Sequence, residues 1–234
     1  MIIRNTIRKI PILRKWLRVH EFTEFRRNEI LSLIHISKLL NANYFPWTNS
    51  SISPTSIRLI INEIIINQRS EVIEFGAGIS TLYIARILKD KGGSFISVEQ
   101  DRQWMDLVAS YLKHEGLDEV VTQVHVPIED TLTDNWYSLG KLEEAVGSKK
   151  FDLALVDAPV SCLARPDVRT FAGEFLKTRL MEDFAVLLDD IDREGEQNIA
   201  KEWCSELNWN YRNYWPQASV GVFRPKGKVS FAVI

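Results

Sequence analysis

Cysteine is nearly absent: the 234 residues include two, Cys162 and Cys204, so no disulfide framework supports the fold. Eleven glycines and eight prolines are too few for a collagenous or low-complexity chain. No stretch approaches the roughly 18 uninterrupted apolar residues of a membrane span. An excess of one charge is missing too. Lys and Arg number 29 against 31 Asp and Glu, a net of −2, which argues against a general nucleic-acid binder. The four histidines, His20, His35, His114 and His125, do not pair by spacing with Cys or Ser as a catalytic triad would. What the chain does have is 45% hydrophobic residues, with 11 Phe, 7 Trp and 6 Tyr. That composition excludes disorder and suits one domain plus an appendage.

Neutrality is an average. Residues 1–50 contain nine basic and three acidic residues, a net of +6, and the remainder is net −8. The first twenty residues have six basic and no acidic residues, interleaved with Ile2, Ile3, Ile7, Ile10, Ile12, Leu13, Trp16 and Leu17. The basic residues interrupt every candidate signal-peptide core, so a cytoplasmic location is expected. A basic segment bearing tryptophan suits an anionic membrane surface or a subunit contact through residues 1–40; a solvated arm, or a helix packed on its own domain, is the plainer alternative. Pro11 limits a continuous helix, and spacing predicts one over 22–40. The polar segment 41–54 marks a boundary, dividing a helical extension (1–50) from a second domain (51–234).

Beyond it, Ser53 and Pro54 form a helix start. Strand-like runs at 70–75, 94–99, 120–126, 151–157 and 185–190 alternate with amphipathic helices, and three more close the chain: WNYRNYW, SVGVFR and VSFAVI. Nearly all-apolar strands alternating with helices predict an α/β fold, a Rossmann-like, mostly parallel sheet with helices on both faces.

After the first strand comes Glu74-Phe75-Gly76-Ala77-Gly78-Ile79-Ser80-Thr81. Glycines at the carboxyl end of a first strand permit a tight turn and close backbone approach to a nucleotide-like ligand. The third glycine of the dinucleotide fingerprint is absent, since Thr81 stands there, and Glu74 would repel a pyrophosphate but suit a cation. Glu99 ends the second strand 21 residues after Gly78, a spacing at which an acid reaches ribose hydroxyls. A ribose-containing, cationic, phosphate-free ligand fits these features, and S-adenosylmethionine is one.

EFGAGIS, SVEQD and LVDAP resemble motifs I, II and IV of the class I S-adenosylmethionine-dependent methyltransferases, and the chain is similar to a bacterial small-molecule O-methyltransferase branch from about Ser53 onward. The resemblance implies seven strands with one antiparallel near the C-terminus. It implies that Glu74, Gly76, Ala77 and Gly78 line the methionine and ribose portion, with Ser80 at the helix start. Glu99 would accept from the ribose, Gln100 would lie near the adenine, and Asp157 would face the methyl donor. The acceptor is expected to be a small molecule or saccharide, with no nucleic acid.

Methyl transfer to a hydroxyl needs alignment and a base. Candidate acids are Asp157, Asp189, Asp190 and Asp192, with Asp157 and Asp190 favoured as catalytic. Catechol-type relatives bind Mg²⁺ through Asp, Asp and Asn; Asp157 and Asp190 match the two Asp positions, but Ile191 replaces the Asn. Metal is therefore disfavoured, and Arg193 or Arg165 could hydrogen-bond the same carboxylates. The DAPVSC stretch lacks the nucleophile placement of RNA cytosine-5 methyltransferases. Two other readings stay open: an NAD-dependent oxidoreductase or epimerase, and a non-catalytic cofactor-binding protein.

Overall fold

The computed structural model describes residues 11–41, 44–130, 135–160, 167–228 and 230–231. The first ten residues of the basic arm, Cys162, Arg165 and most of the VSFAVI run lie outside them. Helix α1 (Pro11–Ile36) begins at the proline expected to limit it; proline is tolerated in a first turn, where its missing N–H would be unpaired anyway. The helix predicted over 22–40 is thus longer at one end and ends earlier at the other.

Helix α2 (Pro54–Ile66) starts where the sequence places it, with the Ser53 side chain accepting from the Ser56 N–H. Strand β1 (Glu71–Phe75), α3 (Ile79–Lys91), β2 (Ser94–Glu99), α4 (Arg102–His114) and β3 (Val121–His125) follow. Next come a short hairpin, β4 (Ile128–Asp130) and β5 (Asn135–Tyr137), and α5 (Leu139–Val146). The chain closes with β6 (Phe151–Val156), α6 (Thr170–Leu176), β7 (Leu180–Asp189), α7 (Glu194–Glu206), β8 (Trp209–Asn213) and β9 (Val220–Pro225).

Seven strands form one sheet in the order β3-β2-β1-β6-β7-β9-β8. Neighbours from β3 to β7 are parallel, and β9 runs against both β7 and β8. Side chains alternate between two apolar layers, as the two-residue period of a strand requires. Val72, Leu153, Leu155 and Leu187 pack with α2, α3 and α4, whereas Ile73, Phe75, Val156 and Leu188 pack with α5, α6 and α7.

The N-terminal helix is tied to this domain. Ser32 and Thr55 hydroxyls meet at 3.1 Å in a buried contact, Ile36, Phe45 and Ile52 join the core, and Phe25 packs against Trp215 at 5.2 Å between rings. The strand order reverses between β1 and β6, the place where open α/β sheets receive ligands at their carboxyl ends.

Candidate functional site

A cavity of about 480 Å³ opens at that switch point, within the range of small-molecule sites. Its floor is the turn after β1. Gly76 has φ +99°, and a Cβ there would lie 2.8 Å from Ala158 Cβ, so the turn and the β6 end approach too closely for any side chain. At Gly78 a Cβ would meet nothing within 4 Å; that space belongs to the cavity.

Glu74 lies beneath the turn, fully buried, and does not line the cavity. The Ser80, Thr81 and Ser97 hydroxyls donate to it, the last two at 2.6 and 2.9 Å. Thr81 also accepts the Gly78 N–H at 2.9 Å. The residue that replaces the third fingerprint glycine thereby fastens the turn to β1. Burial pushes the Glu74 carboxyl up to about 7, against the pull of its three hydroxyl partners.

Glu99 faces the cavity from the end of β2. Its Oε1 accepts the Gln100 and Asp101 N–H groups at 2.7 and 2.8 Å, and its Oε2 accepts the Ala77 N–H at 3.0 Å. Backbone donors therefore orient both oxygens, although burial still raises its pKa. Gln100 also lines the cavity, and its buried Oε1 has no protein partner. His125 contacts the Gln100 carbonyl at 3.0 Å through Nε2, and His114 is exposed.

Five contributing residues escape the sequence reading. Trp104 lines the wall and donates from its indole to Ala77 O at 2.7 Å; its signal is only an aromatic in the first turn of α4, which Asp101 caps. Thr48, Ser50 and Ser51, within the segment read as a boundary, supply hydroxyls to the cavity. Arg169 has no local signal at all.

Asp157 lines the cavity just after β6, Asp189 ends the adjacent strand β7 and Asp190 follows it. One oxygen from each of the three lies within 4.8 Å of the others. Asp190 has φ +60° and stands outside the cavity lining. Arg169, only 2% exposed, runs into the cluster, with Nη1 3.2 Å from Asp190 Oδ2 and Nη2 3.5 Å from Asp157 Oδ1. Arg193, one of the two arginines the sequence offers, reaches the same Asp190 oxygen at 2.8 Å. Asp192 turns away and accepts from Ser219 at 2.7 Å. Burial raises Asp157 to about 7, with Arg169 opposing, and holds Asp189 well above the ordinary carboxylate range.

These carboxylates do not fit a resident Mg²⁺. An octahedral oxygen set is needed, yet Ile191 is wholly buried in the Asn position, and a dication would share Asp190 with two guanidinium groups. Of the aromatics, Trp136 and Tyr137 pack on Phe75 in the core, and Tyr211 and Trp215 line a separate cavity of about 640 Å³ beside α7.

Residues 73–191 match the methyltransferase-domain family. No curated protein matches the sequence. Among solved structures, the O-methyltransferase TomG from Streptomyces achromogenes, involved in tomaymycin synthesis and bound to SAM, is similar with a TM-score of 0.58 at 16% identity, over 85% of this chain and 96% of that one. An O-methyltransferase from Bacillus cereus bound to SAH gives 0.58 at 15% identity, over 86% and 89%. A precorrin-6y C5,15-methyltransferase from Geobacter metallireducens gives 0.53 at 12% identity, over 77% and 91%. At such identities the likeness shows the fold, which serves oxygen and carbon acceptors alike. The family match spans half the sequence, the glycine turn included, and by it this chain belongs to the methyltransferase-domain family.

Proposed function

We propose that the protein is an S-adenosylmethionine-dependent O-methyltransferase acting on a hydroxyl of a small molecule or saccharide. The observation that carries this reading is the charge of the cavity. Its described lining includes Glu99, Asp101 and Asp157 but no Lys or Arg, which suits a sulfonium and repels a pyrophosphate, so it also speaks against an NAD enzyme. The unpartnered Gln100 Oε1 and the open space at Gly78 fit an adenosine and a ligand passing close to the backbone.

Bound S-adenosylmethionine supplies an electrophilic methyl group. Gly76, Ala77, Gly78 and Ser80 would hold its methionine and ribose portions, Glu99 would accept from the ribose hydroxyls, and Gln100 would border the adenine. Asp157 removes the acceptor's proton at its carboxylate, and a pKa of about 7 suits a general base near neutral pH. Asp190 acts with Asp157 through their shared contact with Arg169. The hydroxyls of Thr48, Ser50 and Ser51 line the same space and would hydrogen-bond a polar acceptor.

Incubation with methyl-labelled S-adenosylmethionine and panels of phenols, catechols and saccharides tests this. Label on an oxygen of a hydroxyl acceptor is the expected result; label on nitrogen or carbon alone overturns the O-methyl assignment.

For the N-terminal region we propose a cytoplasmic protein that touches anionic membrane surfaces through residues 1–40. Among the described residues no helix is long and apolar enough to cross a membrane. On α1, Val19, Phe22, Ile30, Leu33 and Ile34 are 45–63% exposed, beside exposed Arg26 and Arg27, a pairing that suits an anionic bilayer. Flotation with anionic vesicles is the expected behaviour, weakened when residues 1–20 are removed and lost when Arg26→Glu and Arg27→Glu are added; dimerisation without flotation would assign the face to a second copy.

A further inference from the structure

We infer that Arg169 is the resident cation of the strand-end carboxylates, so that this centre takes no Mg²⁺. The Arg169 side chain is 2% exposed, and its five N–H donors make four hydrogen bonds to the surrounding oxygens. Nε donates to Pro159 O at 3.1 Å. Nη1 donates to Asp189 O at 3.3 Å and Asp190 Oδ2 at 3.2 Å, with Glu196 Oε1 at 3.6 Å. Nη2 donates to Asp157 O at 2.6 Å and lies 3.5 Å from Asp157 Oδ1.

A buried arginine with one partner is an ordinary ion pair. Arg169 instead joins the carboxyl ends of β6 and β7 by carbonyl and carboxylate together, the bridging role of a coordinated ion. Arginine suits the task because its planar fork stays charged and holds several oxygens in fixed directions. Asp157, the one member of the cluster that lines the cavity, is held at both its carbonyl and its carboxylate. Arg169 is thus a positioning residue, and this part of the inference rests on the proposed O-methyl transfer.

The test titrates Mn²⁺ into the full-length protein and reads free Mn²⁺ by electron paramagnetic resonance. The wild type is expected to leave millimolar Mn²⁺ free, and Arg169→Met/Arg193→Met, which frees Asp190 of both guanidinium groups, to gain one site that adding Asp190→Asn removes. A wild-type Mn²⁺ site abolished by Asp190→Asn overturns the inference, and this arm holds even if the double variant fails to fold. A folded double variant that binds no Mn²⁺ also overturns it. On the same samples, S-adenosylhomocysteine titration reads the methyltransferase assignment separately. Loss of that binding in wild type with the Mn²⁺ pattern intact would sink the assignment and leave the cation inference standing.

Discussion

At the ends of β1 and β2, the carboxylate facing the cavity is oriented by backbone. Glu99 takes the amides of Ala77, Gln100 and Asp101, all within 3.0 Å. At the ends of β6 and β7, Asp157 and Asp190 are oriented by one side chain, Arg169, at 3.5 and 3.2 Å. The first arrangement is rigid because its donors belong to the turn itself. The second depends on a residue 12 positions beyond Asp157 and 21 before Asp190. Damage to the first half should therefore appear in cofactor binding, and damage to the second in turnover.

The largest effect belongs to the second half. Asp157→Asn is expected to lower turnover by roughly 10²–10⁴, the range of a lost general base, with S-adenosylhomocysteine affinity nearly unchanged. Because burial lifts Asp157 to about 7, its base form is depleted below that pH. Wild-type turnover should fall as pH drops through about 7; a pH-independent rate contradicts the role.

Beneath the first half, Glu74 has its pKa raised from 4.5 to about 7. The folded state retains a proton that the unfolded chain has released, so stability falls as pH rises between these values, by on the order of 3 kcal/mol. Denaturant unfolding against pH should show this slope, and Glu74→Gln should make it shallower, leaving the share that Asp157 contributes over the same range.

Glu99→Ala removes charge-assisted bonds worth about 1.5–3 kcal/mol each, so cofactor affinity should fall by about a hundredfold. An equal loss from Asp157→Asn would erase the contrast between the halves.

The two glycines make the smallest and sharpest pair. Gly76→Ala adds a Cβ 2.8 Å from Ala158 at φ +99° and should cost about 2 kcal/mol of stability. Gly78→Ala meets open space, so its stability should change by less than about 1 kcal/mol while its methyl group intrudes on the ligand. Matched thermal melts and ligand titrations separate the two.

The same contrast governs what the sequence reveals. The β1 turn, the Ser53 cap, Glu99 and the seven strands of the main sheet are local patterns, with donor and acceptor a few residues apart or apolar residues at a fixed period, and they appear where expected. VVTQVHV and AVLLDD mark real strands, though β7 begins at Leu180, before its apolar run. The β4–β5 hairpin and helices α5 and α6 carry too few residues each to stand out in the sequence. Arg169 was invisible because nothing near it in sequence distinguishes it from other loop arginines; its partners meet it only after β6 and β7 pair. The hydroxyls of 48–51 read as a linker for the same reason, since a polar, proline-flanked segment looks alike whether it faces solvent or a cavity.

Calorimetric titration of the full-length protein with S-adenosylhomocysteine, and separately with NAD, is the most direct measurement of the assignment. One S-adenosylhomocysteine bound per chain, weakened by Glu99→Ala and absent for NAD, is the predicted result. Binding of NAD in place of S-adenosylhomocysteine, or S-adenosylhomocysteine binding indifferent to Glu99→Ala, would contradict it.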